Sequence, residues 1–178
     1  MANKSRAVRS DSVVVIGLGR FGGAVAESLI RLGHEVLGID GNYEKVQEFS
    51  GLLTHVVQAD TTNIETLREL GVTEFKRAVV GIGHNMEASV LTVLALEELG
   101  IPEIWAKAMT KNHGRILERT GAHHVIFPEA AMGERVAHLA TGRMIDFIEL
   151  EDGYAIAKTR TPEKFHGQTI AQAELRSR

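Results

Sequence analysis

Ten residues constrain this chain more than any others: Val13-Val14-Val15-Ile16-Gly17-Leu18-Gly19-Arg20-Phe21-Gly22. Four β-branched residues in a row have no polar side to turn to water, so they predict a strand covered on both faces of a parallel sheet. Gly17, Gly19 and Gly22 then supply G-x-G-x-x-G where that strand must turn into a helix. The first glycine permits the tight turn, the second lets backbone approach a phosphate, and the third lets helix pack closely on strand. The helix that follows is expected to bury Ala24, Val25, Leu29 and Leu32 and to stop at Gly33. Its unpaired N–H groups and positive dipole end would face a phosphate.

Three glycines recur by chance, so their surroundings carry the weight. Glu35 to Ile39 reads as a second strand ending at Asp40, which lies 18 residues after Gly22 and 23 after Gly17. A carboxylate near that spacing accepts the ribose hydroxyls of a nucleotide. The alternative is a βαβ unit that only packs, with Asp40 capping the next helix.

Strand and helix go on alternating. Asn42 can cap a helix to about Phe49, and His55 to Ala59 is a third strand closing on Asp60. Thr62 or Asn63 caps a helix to Leu70; Arg77 to Ile82 is the fourth strand, closing on Gly81-Ile82-Gly83. A helix from Asn85 to Leu99 carries Val90, Leu91, Leu94 and Leu99 on its expected apolar side, and Gly100 and Pro102 end it. Ile104 to Ala108, Lys111 to Thr120 and His123 to Phe127 complete the series as strand, helix, strand. The pattern predicts an α/β, Rossmann-like, doubly wound parallel sheet of six strands in order 3-2-1-4-5-6. Ligands of such a sheet sit beyond the C-terminal strand ends, at the switch point between strands 1 and 4. Gly17, Gly19, Gly22, Asp40, Ile82 and Gly83 all converge there. Asp60 either edges a base pocket or caps the following helix.

The chain divides by pattern into a polar tail (1–11), the sheet domain (12–127), a crossover helix (128–142) and a remainder (143–178). The helix carries the stripe Met132, Val136, Leu139, which either joins the core or meets a second subunit. Asp146 to Leu150 and Tyr154 to Thr159 flank Glu151-Asp152-Gly153 and predict an antiparallel hairpin; Thr169 can cap a last helix. A hairpin and a helix cannot bury a core of their own, so this end reads as the incomplete start of a small α+β domain.

Composition narrows the function. A net charge of −3 gives no footprint for nucleic acid, and zero cysteines rule out thiolate metal sites and suit a reducing cytoplasm. No apolar run reaches the ~20 residues that span a bilayer. Tyr154 and Lys158 have dehydrogenase-like spacing, but on a strand they would stand ~13 Å apart, at ~3.3 Å per residue. His123 and His124 are adjacent on a strand, face opposite ways and cannot grip one metal. Catalysis is therefore not expected, and a fragment of an NAD-dependent oxidoreductase is the alternative.

Four motifs, Gly17-Leu-Gly-Arg-Phe-Gly22, Gly81-Ile-Gly-His-Asn85, Ile104-Trp-Ala-Lys107 and Pro128-Glu-Ala-Ala-Met-Gly133, resemble those of RCK (KTN) regulatory subunits of Trk/Ktr-type potassium uptake systems. The resemblance implies a cytosolic subunit, peripheral to the inner face of the membrane, with an RCK_N domain followed by a crossover helix and an RCK_C domain. It implies that ATP, ADP or NAD(H) changes the shape of a homodimer, assembled into a ring such as an octamer, and so gates a membrane potassium-translocating partner. The nucleotide would meet the glycine loop with Arg20 and Phe21, Asp40, Asp60, Ile82, Gly83 and Lys107. Arg20 is either a solvated loop residue or, as the resemblance implies, a sensor of the γ-phosphate. Lys107 balances phosphate charge, pairs with Asp60, or snorkels from the sheet edge. Glu129 either favours its helix dipole or, as in the similar regulators, helps hold Mg²⁺ or Ca²⁺ near the phosphates.

Overall fold

A computed structural model of the chain describes residues 12–140, 146–149, 155–158, 161, 163–169 and 171–173. The chain forms two compact units, one running to Pro128 and the other starting at Glu129. In the first unit β1 (Val13–Ile16), α1 (Arg20–Arg31), β2 (Val36–Asp40), α2 (Tyr43–Phe49) and β3 (His55–Gln58) are followed by α3 (Ile64–Glu69) and a 3-10 turn at Val72–Glu74. Then come β4 (Arg77–Val80), α4 (Met86–Glu98), β5 (Glu103–Lys107), α5 (Lys111–Arg119) and β6 (His124–Ile126). The strand order is β3-β2-β1-β4-β5-β6, all parallel, as the alternation of elements predicts.

The run Val13–Ile16 is central because every residue in it is buried and because β1 pairs on both sides: Val13 lies opposite Val36 on β2 and Arg77 on β4. Alternate side chains feed two cores. Val14, Ile16, Leu37, Ile39, Ala78, Val80, Ile104 and Ala106 pack with Leu67, Val93, Leu96 and Leu117 from α3, α4 and α5. Val13, Val15 and Val36 pack with Ala26 and Phe49 of α1 and α2, and with Leu18 and Leu53. At ~1.5–3 kcal/mol for each fully buried aliphatic side chain, these two layers supply most of the driving force.

Strand ends fall one or two residues short of the sequence reading: β3 ends at Gln58, β4 at Val80 and β6 at Ile126. The residues released, Ala59, Gly81, Ile82 and Phe127, fall in the connections that follow these strands. Two helix faces need correction. α1 buries Gly22, Gly23 and Ala26, while Ala24 and Leu32 are exposed. A Cβ on Gly23 would stand 2.5 Å from the Phe49 ring, so α1 meets α2 through its small residues rather than through leucines. α4 buries Ser89, Thr92, Val93, Ala95 and Leu96, leaving Leu91 and Leu94 exposed at 39% and 37%. The apolar count on α4 is high all round, so periodicity does not single out the inward face; the buried hydroxyls of Ser89 and Thr92 do.

α6 (Pro128–Ala140) begins two residues after β6, and Met132 and Val136 on it are exposed at 56% and 52%, with Leu139 half-buried. Its expected end at 142 lies outside the described residues. β7 (Asp146–Glu149) and β8 (Ala155–Lys158) pair antiparallel, as the hairpin pattern predicts, while the turn between them and Tyr154 lie outside the described residues. Thr169 starts a turn in which its Oγ1 accepts from Gln172 N and its own N–H donates to Gln172 Oε1. No helix among the described residues is long and apolar enough to cross a membrane.

Candidate functional site

A cavity of about 840 Å³ opens beyond the C-terminal ends of β1 to β4. Gly17, Gly19, Arg20, Asp40, Asp60, Ile82 and Gly83 line it, which brings seven of the residues singled out from sequence to one place. Phe21, Gly22 and Lys107 are not in its lining. Glu129 belongs to the other unit, exposed in the first turn of α6.

The loop after β1 takes its shape from three backbones meeting at close range. Gly17 turns with φ +85°, and its N–H donates to Ile39 O at 2.8 Å. A Cβ on Gly22 would lie 1.9 Å from Gly17 O, and one on Gly81 would lie 2.9 Å from the same oxygen. Gly22 is therefore a packing residue that lets α1 begin where it does, and its part in the site is indirect. Gly19 differs: as N-cap of α1 it has φ −68° and ψ −169°, and a Cβ there would meet no heavy atom within 4 Å. The space that cradles it is open to a ligand.

The helix ends reinforce that reading. Asn42 caps α2, Asn63 caps α3, Asn85 caps α4 and Thr110 caps α5, each by accepting a backbone N–H. α1 has no side-chain cap and no acidic residue in its first turn. Its first N–H groups and the positive end of its dipole stay available for an anion in the cavity.

Asp40, the last residue of β2, has a carboxylate held from two sides. Oδ2 accepts the N–H of buried Leu18 at 2.6 Å, and Oδ1 accepts the N–H of Asn42 at 2.8 Å. The helix cap is Asn42, so Asp40 is not the cap that the packing-only alternative requires. Each carboxylate oxygen has a further lone pair to offer a hydroxyl.

Asp60 sits in the cavity wall past β3. Its Oδ1 accepts both from Thr62 Oγ1 at 2.7 Å and from Thr62 N at 3.0 Å, and these bonds hold its carboxyl below the usual carboxylate range. The cap of α3 is Asn63, whose side chain accepts from Glu65 N and Thr66 N, so Asp60 does not cap that helix. Beside it, buried Thr61 shares a 2.9 Å hydroxyl hydrogen bond with Thr92 of α4.

Lys107 closes β5 and is 8% exposed, so it does not snorkel from the sheet edge. Its Nζ lies 5.8 Å from the centroid of the Phe21 ring, and a Cβ on Gly83 would be 3.5 Å from it. Both residues thus stand behind the loops that line the cavity.

Sequence reasoning missed Lys45 and Thr61 as lining residues and used His84 and Asn85 only as parts of a motif. Lys45 Nζ is 2.7 Å from Glu48 Oε2 on the same helix, which raises its pKa, with Asp40 adding to the rise. Its position one turn after Asn42 is the signal that could have found it. His123 and His124 part as expected: His123 Nδ1 accepts from Ile104 N at 3.1 Å, while the His124 ring stacks on Trp105 at 3.9 Å. Among the described residues no group of three or more His, Cys, Asp or Glu could hold a metal ion.

Comparison with known proteins fits this geometry. Residues 13–128 match the family model described as the TrkA-N domain. The chain is 40% identical over 172 residues to Ktr system potassium uptake protein A of Bacillus subtilis, covering 96% of this chain and 78% of that protein. It is 35% identical to Ktr system potassium uptake protein C of the same organism, covering 92% and 75%. Among solved structures, the GsuK RCK domain superposes with a TM-score of 0.70 at 18% identity, over 100% of this chain and 39% of that one. The GsuK channel bound to NAD gives 0.63 at 16% identity, over 81% and 25%, and GsuK bound to ADP gives 0.64 at 17%, over 80% and 37%. At these identities the superpositions show the shared fold.

Proposed function

The chain belongs to the TrkA-N domain family, and on that premise we propose that it is a nucleotide-sensing regulatory subunit of a potassium uptake system. It acts from the cytoplasmic side on a membrane potassium-translocating partner. The observation that carries the nucleotide half of this reading is the N-terminus of α1, left uncapped at Gly19 and open to the cavity. The potassium half rests on the 40% identity to a Ktr system protein. That relative and its companion are named as uptake proteins, which supports a regulatory role over a catalytic one.

The residues divide the work by position. The α1 N-terminus and Gly19 hold the phosphates, and Asp40 accepts ribose hydroxyls with a carboxylate already oriented by Leu18 and Asn42. Arg20, exposed in the first helical turn, supplies a guanidinium that reaches a terminal phosphate. Phe21 and Lys107 support the loops from behind. A bound ADP or ATP shifts the protein only by its difference in affinity for two shapes, so the phosphate-facing residues are where the signal is read. The exposed Met132 and Val136 on α6 suit contact with a second copy in a homodimer or ring. Glu129 would offer an oxygen ligand to Mg²⁺ or Ca²⁺, hard cations that often take few ligands from protein.

Mass spectrometry of the ligand released from freshly purified protein, followed by titration with ADP, ATP and NADH, tests the reading. An adenine nucleotide bound in micromolar range or tighter is expected, and Arg20→Ala should reduce the preference for ATP over ADP while sparing ADP. No binding of any of the three would overturn it.

A further inference from the structure

A second hollow, of about 390 Å³, lies at the end of the sheet away from the glycine loop, where the connection from α3 to β4 meets the starts of β2 and β3. Its floor is apolar: Leu37 and Phe75 are buried there, and Val57 and Leu70 half-buried. Its rim is acidic. Glu69 and Glu74 line it with exposed side chains, and among the described residues neither carboxylate takes part in a salt bridge or hydrogen bond. A greasy floor below two carboxylates suits a side chain with an aliphatic stem and a cationic head, which is arginine or lysine.

The route of the chain brings such side chains to this place. Val13, the first residue of β1, lies opposite Val36 on one side and Arg77 on the other, so the chain before it leaves between Glu35 and Lys76. The connection that carries Glu74 and Phe75 ends beside Ser12 for the same reason. Residues 1–11 hold Lys4, Arg6 and Arg9 against a single acid, Asp11. Lys76 and Arg77 repel that segment from the β4 side, while Glu35, Glu69 and Glu74 attract it toward β3. Distance permits the contact. β3 is two strand spacings from β1, ~10 Å. Arg9 and Arg6 lie three and six residues before Ser12, which extended chain converts to ~10 and ~20 Å.

We propose that the segment 1–11 of this chain docks on the hollow, with an arginine stem, from Arg6 or Arg9, over the apolar floor and its guanidinium against Glu69 and Glu74. Docking would tie the start of β1 to the connection between α3 and β4. It makes no use of the nucleotide cavity and does not depend on the function proposed above.

Trypsin cuts after Lys4, Arg6 and Arg9, so timed cleavage of the full chain followed by mass spectrometry reads the docking. Exposed ion pairs are weak one by one and add when several engage together, so protection should be modest. Cleavage after Arg6 and Arg9 is expected to be on the order of threefold to tenfold slower in wild type than in the double variant Glu69→Gln, Glu74→Gln, whose exposed positions leave the fold intact. The difference should vanish at about 1 M NaCl, where the screening length is ~3 Å. The chain has no cysteine, which allows a second measurement. Under mild oxidation Ala7→Cys should cross-link to His55→Cys, on the rim of the hollow, faster than to Lys76→Cys, which stands nearer Ser12 along the sheet. Equal cleavage of wild type and the glutamine variant, or faster cross-linking at Lys76→Cys, would overturn the docking. Protection of the segment only in the presence of anionic lipid vesicles would overturn it as well.

Discussion

Gly19 and Gly22 are three residues apart in one motif, and the proposed function gives them opposite jobs that alanine substitution can separate. At Gly22 a new Cβ would lie 1.9 Å from Gly17 O, where a carbon and an oxygen need more than 3 Å, and the opposing atom is backbone. Overpacking costs ~1–3 kcal/mol where side chains can yield, so a clash with backbone belongs at or above the upper end. Better helix propensity of alanine returns ~1 kcal/mol, leaving a net loss of about 2 kcal/mol. For a chain of this size that is a fall in Tm of roughly 4–8 °C. At Gly19 the dihedrals are open to any residue and nothing lies within 4 Å, so Gly19→Ala should leave Tm within about 2 °C of wild type. Its methyl group would instead occupy the approach to the α1 N–H groups and weaken ADP binding by on the order of tenfold or more. Thermal unfolding and calorimetric titration of both variants give four numbers. A Gly22→Ala protein as stable as wild type would refute the packing role, and a Gly19→Ala protein with unchanged ADP affinity would refute the phosphate cradle.

Three further outcomes are expected. Asp40→Ala should weaken ADP binding by at least ~1.5 kcal/mol and also lower Tm, because Leu18 N–H is then left buried without its acceptor; unchanged binding in titration would remove the ribose role. His113 is 1% exposed, accepts Met109 N–H on Nδ1 and has no partner for Nε2 among the described residues; burial lowers its pKa. A histidine held neutral in the fold is protonated more readily when unfolded, so stability is retained above the unfolded value of ~6.5 and falls as pH drops below it. Urea unfolding at pH 7.5 and 5.5 should show that fall, and His113→Gln should shrink it; an equal fall in the variant would exclude His113 as its source. Asn85→Ala should cost about 1 kcal/mol by removing the α4 cap, measurable in the same unfolding assay, with no loss expected if the cap bond to Ala88 N does not contribute.

The fold was legible because its signals are local and repeated. Val13–Ile16 can hardly be other than a central strand, and Asn42, with Asn63 as one of two candidates, marks where α2 and α3 start, whereas the Thr110 cap of α5 emerged only from the structure. The inward face of α4 was not legible, since apolar residues surround that helix and only packing selects Val93 and Leu96 over Leu91 and Leu94. In the site, glycine spacing identified the loop but could not separate Gly19 from Gly22, because the difference is which backbone stands opposite each Cα. Asp60 was visible as an acid after a strand. That Thr62 occupies one of its oxygens depends on the turn the loop adopts. Lys107 could not be read from its apolar neighbours, whose burial tells nothing of the Phe21 ring across the sheet end.

β1 takes β2 on one side and β4 on the other, and this has a consequence for the order of events in folding. The pairing of Val13–Ile16 with Val36–Asp40 closes a loop of about twenty residues, whereas pairing with Arg77–Val80 closes one of about sixty. Loop closure slows non-local pairing, so the first βαβ unit can form early, with Asp40 already bonded to Leu18, while the cavity lacks the wall that Gly81 to Asn85 provide. A nucleotide able to rest on the glycine loop alone would still find the site half-built. Ligand added during refolding should therefore act late: it should slow unfolding strongly while leaving the rate of the early folding phase untouched.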